Sequence, residues 1–249
     1  MRGTSVSLLI ILFFLSLACT SVKVEVKYAE GPTSELRMFK PPLDPNQLPK
    51  RDPTRIGGPS CPGDAISQKV KAIPQKTDAW CWAASAQTIM EAHDTLTQQC
   101  NIVESVYQDE LTTACCGNAT IPGECWRNGW PEEAFNNFGF NWEYVEVPLK
   151  EDTLAGQLCQ NGPFIFVLEF EGGGGHTFVV KDIDFIRDGS ANTGQLFLWV
   201  YDQEGVPDPQ DMLIPTDFKL WSYDAYVEGL WNGGNFKHAL DYVQISPLE

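Results

Sequence analysis

Four side chains in this sequence could carry out nucleophilic chemistry together: those of Cys81, His176, Asp202 and Gln75. Residues 80–93 have apolar side chains spaced three or four apart, which predicts a helix with one buried face. Asp78 is the expected N-cap of this helix, so Cys81 falls in the first turn. The positive end of a helix lowers the pKa of a thiol and favours the thiolate. Cys81 is therefore the candidate nucleophile.

The base that activates such a thiol must lie within hydrogen-bond reach of it, and the chain contains three histidines. His93 lies 12 residues after Cys81, which is about 18 Å along a continuous helix, so we expect a structural role for His93. His176 follows four consecutive glycines and opens a predicted strand, and it is the candidate base. His238, near the C-terminus, is the alternative.

Two further side chains complete the candidate site. Asp202 ends the apolar run of residues 196–201, where its carboxylate can hold the second imidazole nitrogen of His176. Gln75 lies six residues before Cys81 in the loop that leads into the helix. Its amide can donate to the oxyanion that forms when a thiolate attacks a carbonyl. Other aspartates of the same region are alternative candidates for this orienting role: Asp182, Asp184, Asp188 and Asp208.

The rest of the chain predicts the elements that position these residues. Three further helices are expected over residues 101–111, 131–138 and 149–160. After Pro163 the sequence is rich in β-branched and aromatic residues, which predicts strands over residues 164–170, 177–186 and 196–201. Helices followed by antiparallel strands indicate an α+β domain of two lobes with a cleft between them. Four tryptophans are expected in the core or along that cleft: Trp126, Trp130, Trp221 and Trp231.

The N-terminus has the pattern of a signal peptide. Residues 1–18 contain Arg2, an apolar stretch too short to span a bilayer, and the small residues Ser16 and Ala18. The sequence therefore predicts export to the cell envelope or beyond. Cys19 follows the cleavage position, so the mature chain is either free or attached to a membrane through a lipidated Cys19. Residues 19–63 are rich in proline and charge, as in an extended arm or a removable propeptide.

The net charge limits the expected partners, and the length limits the number of domains. The formal net charge is −16, which repels phosphate backbones, so we expect no nucleic-acid partner. The composition does not indicate a repeat array or a fully disordered chain, and the length allows one sizeable core. We expect one monomeric catalytic domain over residues 64–249.

Eight cysteines in an exported chain indicate an oxidising compartment in which most of them pair. Six remain once Cys19 and Cys81 are set aside: Cys61, Cys100, Cys115, Cys116, Cys125 and Cys159. Adjacent Cys115 and Cys116 are poorly placed to bridge each other, so each is expected to reach a different partner, with Cys100 and Cys125 nearest in sequence. A zinc site is the alternative, but no C-x-x-C pair occurs, and we expect no metal or cofactor.

The order of these elements resembles a known family. Residues 75–85 have a glutamine six residues before Trp-Cys-Trp-Ala-Ala. They are followed by the Thr97 to Cys100 element, the vicinal cysteine pair, Gly162-Pro163, Gly-Gly-His ending at His176, and Asp202. Over residues 68–235 the chain resembles the papain-like cysteine peptidases, in particular the bacterial secreted avirulence-effector subgroup. It differs from that pattern in having Gln203 after Asp202 and one more residue, within Gln98-Gln99, before Cys100.

The resemblance implies the two-lobed papain-like fold and thiol hydrolysis of peptide bonds. It assigns Cys81 as nucleophile, His176 as base and later acid, Asp202 as the residue that orients the base, and Gln75 as the oxyanion donor. A protein or peptide is then the expected substrate. Two alternatives remain open: acyl transfer on the same residues, as in a transpeptidase, transglutaminase-like enzyme or isopeptidase, and a catalytically inactive binding protein stapled by disulfides.

Overall fold

The computed structural model describes residues 40–51, 69–187, 194–203, 218–231 and 234–248. The predicted signal peptide, Cys19, Cys61 and most of the arm over residues 19–63 lie outside the described residues. Asp188 and Asp208, two of the alternatives to Asp202, also lie outside them. The division of the chain at residues 18 and 63 therefore stays a prediction.

The described residues form five α-helices and two short 3-10 helices. The α-helices are α1 (Cys81–Ala92), α2 (Gln99–Tyr107), α3 (Pro131–Asn137), α4 (Glu151–Gln160) and α5 (Tyr223–Glu228). The 3-10 helices are Pro45–Gln47 and Gly123–Cys125. The four helices expected from sequence correspond to α1 to α4, because their apolar spacing and their Gly and Pro boundaries are local signals.

The strands form an antiparallel sheet and a small separate hairpin. They are β1 (Phe140–Val145), β2 (Phe164–Glu169), β3 (Gly175–Arg187), β4 (Gly194–Asp202), β5 (Lys219–Ser222), β6 (Leu230–Trp231), β7 (Gly234–Asn235) and β8 (Lys237–Pro247). The six-stranded sheet has the order β1-β8-β2-β3-β4-β5, and β6 pairs with β7. The predicted α+β class is confirmed. The last strand, β8, lies between β1 and β2, which adjacency in sequence does not indicate.

Both faces of the sheet are buried. Helices α1, α2 and α3 pack on one face against residues such as Ile165 and Val179, while α4 and α5 pack on the other against Phe166 and Phe178. Strand β2 is buried at five consecutive positions, from Phe164 to Leu168. A strand covered on both sides reads as a continuous apolar run, as β2 does in the sequence.

The described part of the predicted arm, residues 40–51, lies along β1 and α4. The backbone N–H of Leu43 donates to the carbonyl of Tyr144 at 2.7 Å, and that of Arg51 donates to Asp152 at 2.8 Å. Leu48 is buried beside α4. A Cβ added to Gly156 would lie 1.8 Å from the carbonyl oxygen of Pro49, so the absence of a side chain there allows the close contact.

Two disulfide bonds join the helical side of the domain. Cys100 pairs with Cys116, and Cys115 pairs with Cys125. The prediction that the vicinal cysteines reach different partners is confirmed, as are the partners nearest in sequence. Cys159 is also disulfide-bonded. Such bonds indicate an oxidising environment.

In the described part of the chain, no helix combines the length and the apolar character that crossing a membrane requires.

A buried acid links α3 to β8 and generates a prediction about stability. Glu132 is fully buried and accepts a hydrogen bond from the hydroxyl of Tyr242. Burial raises the pKa of Glu132 from 4.5 to about 7, although the bond from Tyr242 opposes this. Because the pKa of Glu132 is raised in the folded state, its contribution to the free energy of unfolding is fully present below about pH 4.5. That contribution is lost as pH rises through about 7.

We predict that Glu132→Gln makes the protein more stable than the wild type at pH 8, by on the order of 3 kcal/mol. The reason is that the glutamine amide carries no charge, whereas the buried Glu132 must ionise. At pH 5 the difference should be much smaller. Urea unfolding at both pH values measures it. Glu146→Gln, which removes an exposed carboxylate, is the control and should show no such dependence. Equal effects of Glu132→Gln at pH 5 and 8 would contradict the prediction.

Candidate active site

The candidate nucleophile stands at the first residue of α1. Cys81 begins this helix, so its sulfur lies at the positive end of the helix dipole. The residues on either side are fixed by their indoles: Trp80 Nε1 donates to the carbonyl of Cys125 at 2.7 Å, and Trp82 Nε1 donates to that of Arg127 at 3.0 Å. Cys81 is therefore held from both sides by one segment of chain.

The expected N-cap is wrong. Trp80, not Asp78, occupies the N-cap position, and no side chain caps the helix there. The backbone N–H of Trp80 instead donates to the carbonyl of Thr77 at 3.1 Å, in a tight turn. The burial of the Trp80 ring and its bond to Cys125 decide the helix start, and they override the capping preference of aspartate.

The sulfur of Cys81 is buried and free of any disulfide. The imidazole of His176 and the backbone N–H and hydroxyl of Thr177 lie close enough to the sulfur to lower the pKa of Cys81. One turn further along α1, the hydroxyl of Ser85 lies 2.8 Å from that of Thr177. Helix α1 is thus fastened to the start of β3 beside the histidine.

His176 is the second residue of β3, directly after the β2–β3 turn. Three glycines of this turn, residues 172–174, have φ between +81° and +102°, a region that residues with a Cβ rarely adopt. The turn is closed by the backbone N–H of Phe170, which donates to the carbonyl of Gly174 at 3.1 Å. The glycine run therefore has a conformational role: it turns the chain so that His176 faces the end of α1.

Asp202 is the last residue of β4, and its strand pairs antiparallel with β3. The start of one strand and the end of the other thus lie at the same end of the sheet. The Nε2 atom of His176 is 2.8 Å from Oδ1 of Asp202. Since Asp202 occupies Nε2, Nδ1 is the nitrogen left to face the sulfur of Cys81. The structure therefore brings Cys81, His176 and Asp202 into one continuous chain of contacts.

Trp231 completes this arrangement, and the sequence did not single it out. Its ring stacks on the imidazole of His176 with centroids 4.8 Å apart and an angle of 7° between planes. Its Nε1 donates to Oδ2 of Asp202 at 2.8 Å. Trp231 was expected only in the core or along a cleft, because β6 is two residues long and carries no strand pattern of its own. The indole thus covers one face of the imidazole and holds the carboxylate in place.

The electrostatics favour the ionised forms of Cys81 and His176. Burial raises the pKa of Cys81, but the hydrogen bond and positive charge of His176, together with the groups of Thr177, lower it below 9.0 overall. Burial lowers the pKa of His176, while the bonds with Asp202 and Cys81 raise it to about 10. Because the pKa of Cys81 is lowered and that of His176 is raised, the pair favours a thiolate and an imidazolium.

Gln75 is joined to the site through its main chain. Its backbone N–H donates to the carbonyl of Gln203 at 3.0 Å, and Gln203 directly follows Asp202. The amide oxygen of Gln75 is buried without a hydrogen-bond partner among the described residues. The loop that carries Gln75 and the end of β4 that carries Asp202 are therefore neighbours.

The two other histidines lie in different surroundings. His93 is the C-cap of α1, and its ring meets that of Phe140 edge to face at 5.8 Å. His238 lies in β8 with Nε2 at 3.1 Å from Asp241 and its ring stacked on Phe166. Of the three histidines, it is His176 that lies close enough to Cys81 to lower the pKa of the thiol.

No protein-family model matches the chain, and no curated protein matches it. Among solved structures, the chain is similar to the peptidase domain of Streptococcus ComA, described as a bifunctional ABC transporter involved in a quorum-sensing pathway. The identity is 17%, and the match covers 72% of this chain and 98% of that chain with a TM-score of 0.41. A likeness at this level does not assign an activity, so the function rests on the site itself.

We predict that His176→Ala slows alkylation of Cys81 by iodoacetamide at pH 6.5 by at least about tenfold. Without the imidazolium, the two largest causes that lower the pKa of Cys81 are lost, while burial still raises it. The rate is measured by intact mass under non-reducing conditions. His93→Ala is the matched control and should alkylate like the wild type. A wild-type rate in His176→Ala would mean that the imidazole does not set the thiolate population.

Proposed function

We propose that this protein is an exported cysteine peptidase with a papain-like fold that hydrolyses peptide bonds through Cys81, His176 and Asp202. One observation carries the proposal: a free thiol at a helix N-terminus contacts an imidazole whose other nitrogen lies 2.8 Å from a carboxylate. This is the arrangement that an activated nucleophile requires, a nucleophile and base in contact and the base oriented by a third group. Membership of the avirulence-effector subgroup, whose order of motifs this chain resembles, is part of the same proposal.

In the acylation step, the thiolate of Cys81 attacks the carbonyl carbon of a peptide bond, and a C–S bond forms. The carbonyl oxygen becomes an oxyanion. His176 gives its Nδ1 proton to the nitrogen of the departing amine, so the C–N bond breaks and a thioester remains on Cys81. Asp202 keeps the imidazole in the orientation and tautomer that this proton transfer needs.

In the deacylation step, neutral His176 takes a proton from water, and the resulting hydroxide attacks the thioester carbonyl. The C–S bond breaks, the carboxylic acid product leaves, and the thiolate–imidazolium pair is restored. In both steps the oxyanion is stabilised by donors fixed before reaction. The backbone N–H of Cys81 and the side-chain amide of Gln75 are the donors in this proposal.

Export is the second part of the proposal. It is supported by the signal-peptide pattern of residues 1–18 and by the disulfide bonds among the four cysteines beside the site, which persist in oxidising compartments. The substrate is then a protein or peptide met outside the cytoplasm. A monomeric state belongs to the same proposal, which allows either a free chain or one attached to a membrane through a lipidated Cys19.

The proposed activity predicts that the chain without residues 1–18 cleaves an unfolded protein such as reduced, alkylated casein, and that a peptide epoxide labels Cys81. Cys81→Ala should abolish both, because no other group supplies the nucleophile. Peptide mapping by mass spectrometry identifies the labelled residue. Folding of the variant is checked by circular dichroism. Cleavage that survives Cys81→Ala would overturn the proposal.

The same assay separates hydrolysis from acyl transfer and from an inactive scaffold. Addition of glycine amide should leave the carboxylic acid as the main product if water is the preferred acceptor. Ligated products in excess would indicate a transpeptidase or a transglutaminase-like enzyme. A Cys81 that reacts neither with the epoxide nor with iodoacetamide would indicate a binding protein on an inactive scaffold.

A further inference from the structure

The loop that carries Gln75 is held by a side chain from another helix. Gln99, the first residue of α2, is fully buried. Its Oε1 accepts a hydrogen bond from the backbone N–H of Lys76 at 2.9 Å, and its Nε2 donates to the carbonyl of Pro74 at 2.9 Å. One amide thus binds the residues immediately before and after Gln75.

This contact leaves little freedom to the main chain of the loop. Gln75 itself donates from its backbone to Gln203 at 3.0 Å, so residues 74–76 each have one main-chain group fixed by a neighbouring element. Residues 71–75 belong to no helix or strand, and these three bonds hold the main chain of the loop beside α2 and the end of β4. The side chain of Gln75 is the part they leave available for another partner.

Gln99 is in turn anchored by its own surroundings. The next residue, Cys100, forms the disulfide bond with Cys116, which fixes the first turn of α2. On the other side of Gln99, the carbonyl of Thr97 accepts a hydrogen bond from Gln87 of α1 at 2.8 Å. The amide of Gln99 is therefore a rigid support rather than a mobile surface group.

We propose that Gln99 is a positioning residue for Gln75, which it orients as an oxyanion donor by clamping the backbone on both sides of it. The inference rests on the proposed function and extends it to a residue with no direct contact to the reacting atoms. An amide suits the role because it supplies one acceptor and one donor to two main-chain groups of opposite kind. Displacement of an oxyanion donor by about 1 Å is enough to slow catalysis on the order of a hundredfold.

The test compares Gln99→Met, which keeps the length of the side chain and removes both bonds, with Gln98→Met at the exposed neighbouring glutamine. Gln99→Met should lower kcat/KM for a peptide substrate about ten- to hundredfold, and Gln98→Met should not lower it. Alkylation of Cys81 by iodoacetamide passes through no oxyanion, so its rate should stay within about twofold of the wild type in both variants.

A double-mutant cycle decides whether Gln99 acts through Gln75. In a Gln75→Ala background, Gln99→Met should cause little further loss of kcat/KM, because the donor it positions is already gone. A loss as large as in the wild-type background, or a parallel loss of alkylation rate, would overturn the inference. Gln99→Glu provides a second variant, because only the protonated form of the glutamate offers both a donor and an acceptor. Its loss of kcat/KM relative to the wild type should therefore become smaller as pH falls.

If the wild type cleaves no peptide, that result counts against the proposed function alone. A separate measurement then tests whether Gln99 holds the backbone on both sides of Gln75, which is the clamp. Hydrogen exchange of the Lys76 amide should be faster in Gln99→Met than in Gln98→Met, because its acceptor is removed. Equal exchange in the two variants would overturn the clamp itself. Circular dichroism confirms that both variants are folded before either result is read.

Discussion

The candidate site depends on keeping a thiolate and an imidazolium together in a buried position. Burial alone would neutralise both groups, since it raises the pKa of Cys81 and lowers that of His176. Each charge is stable there only because the other is present and because Asp202 balances the imidazolium. The surrounding structure is arranged around this requirement: a helix end faces the sulfur, a carboxylate closes one side of the imidazole, and Trp231 covers the bond between them.

The supports of the site are connected to one another through the vicinal cysteines. Cys115 is bonded to Cys125, whose carbonyl receives the indole N–H of Trp80 beside the nucleophile. Cys116 is bonded to Cys100, which follows the glutamine that holds the loop of Gln75. Two adjacent residues thus brace both the nucleophile and the proposed oxyanion donor. Disulfide bonds also restrict the unfolded chain, so both supports remain linked when the protein unfolds.

The sequence predicted what local patterns encode. The spacing of α1, the glycine run before His176 and the apolar run ending at Asp202 placed three side chains that the structure brings into contact. Trp231 and Gln99 were missed as supports because their roles arise from contacts with residues 29 and 23 positions away. Asp78 was expected to cap α1 by residue preference, and the packing of Trp80 prevailed. The position of β8 was likewise set by tertiary pairing.

The position of β8 inside the sheet, between β1 and β2, bears on how the protein folds. Strand β8 pairs with both β1 and β2, so β1 is joined to β2 and the strands beyond it through β8. Contacts so distant in sequence form slowly, so the joining of β1 to the rest of the sheet is expected to be a late step of folding.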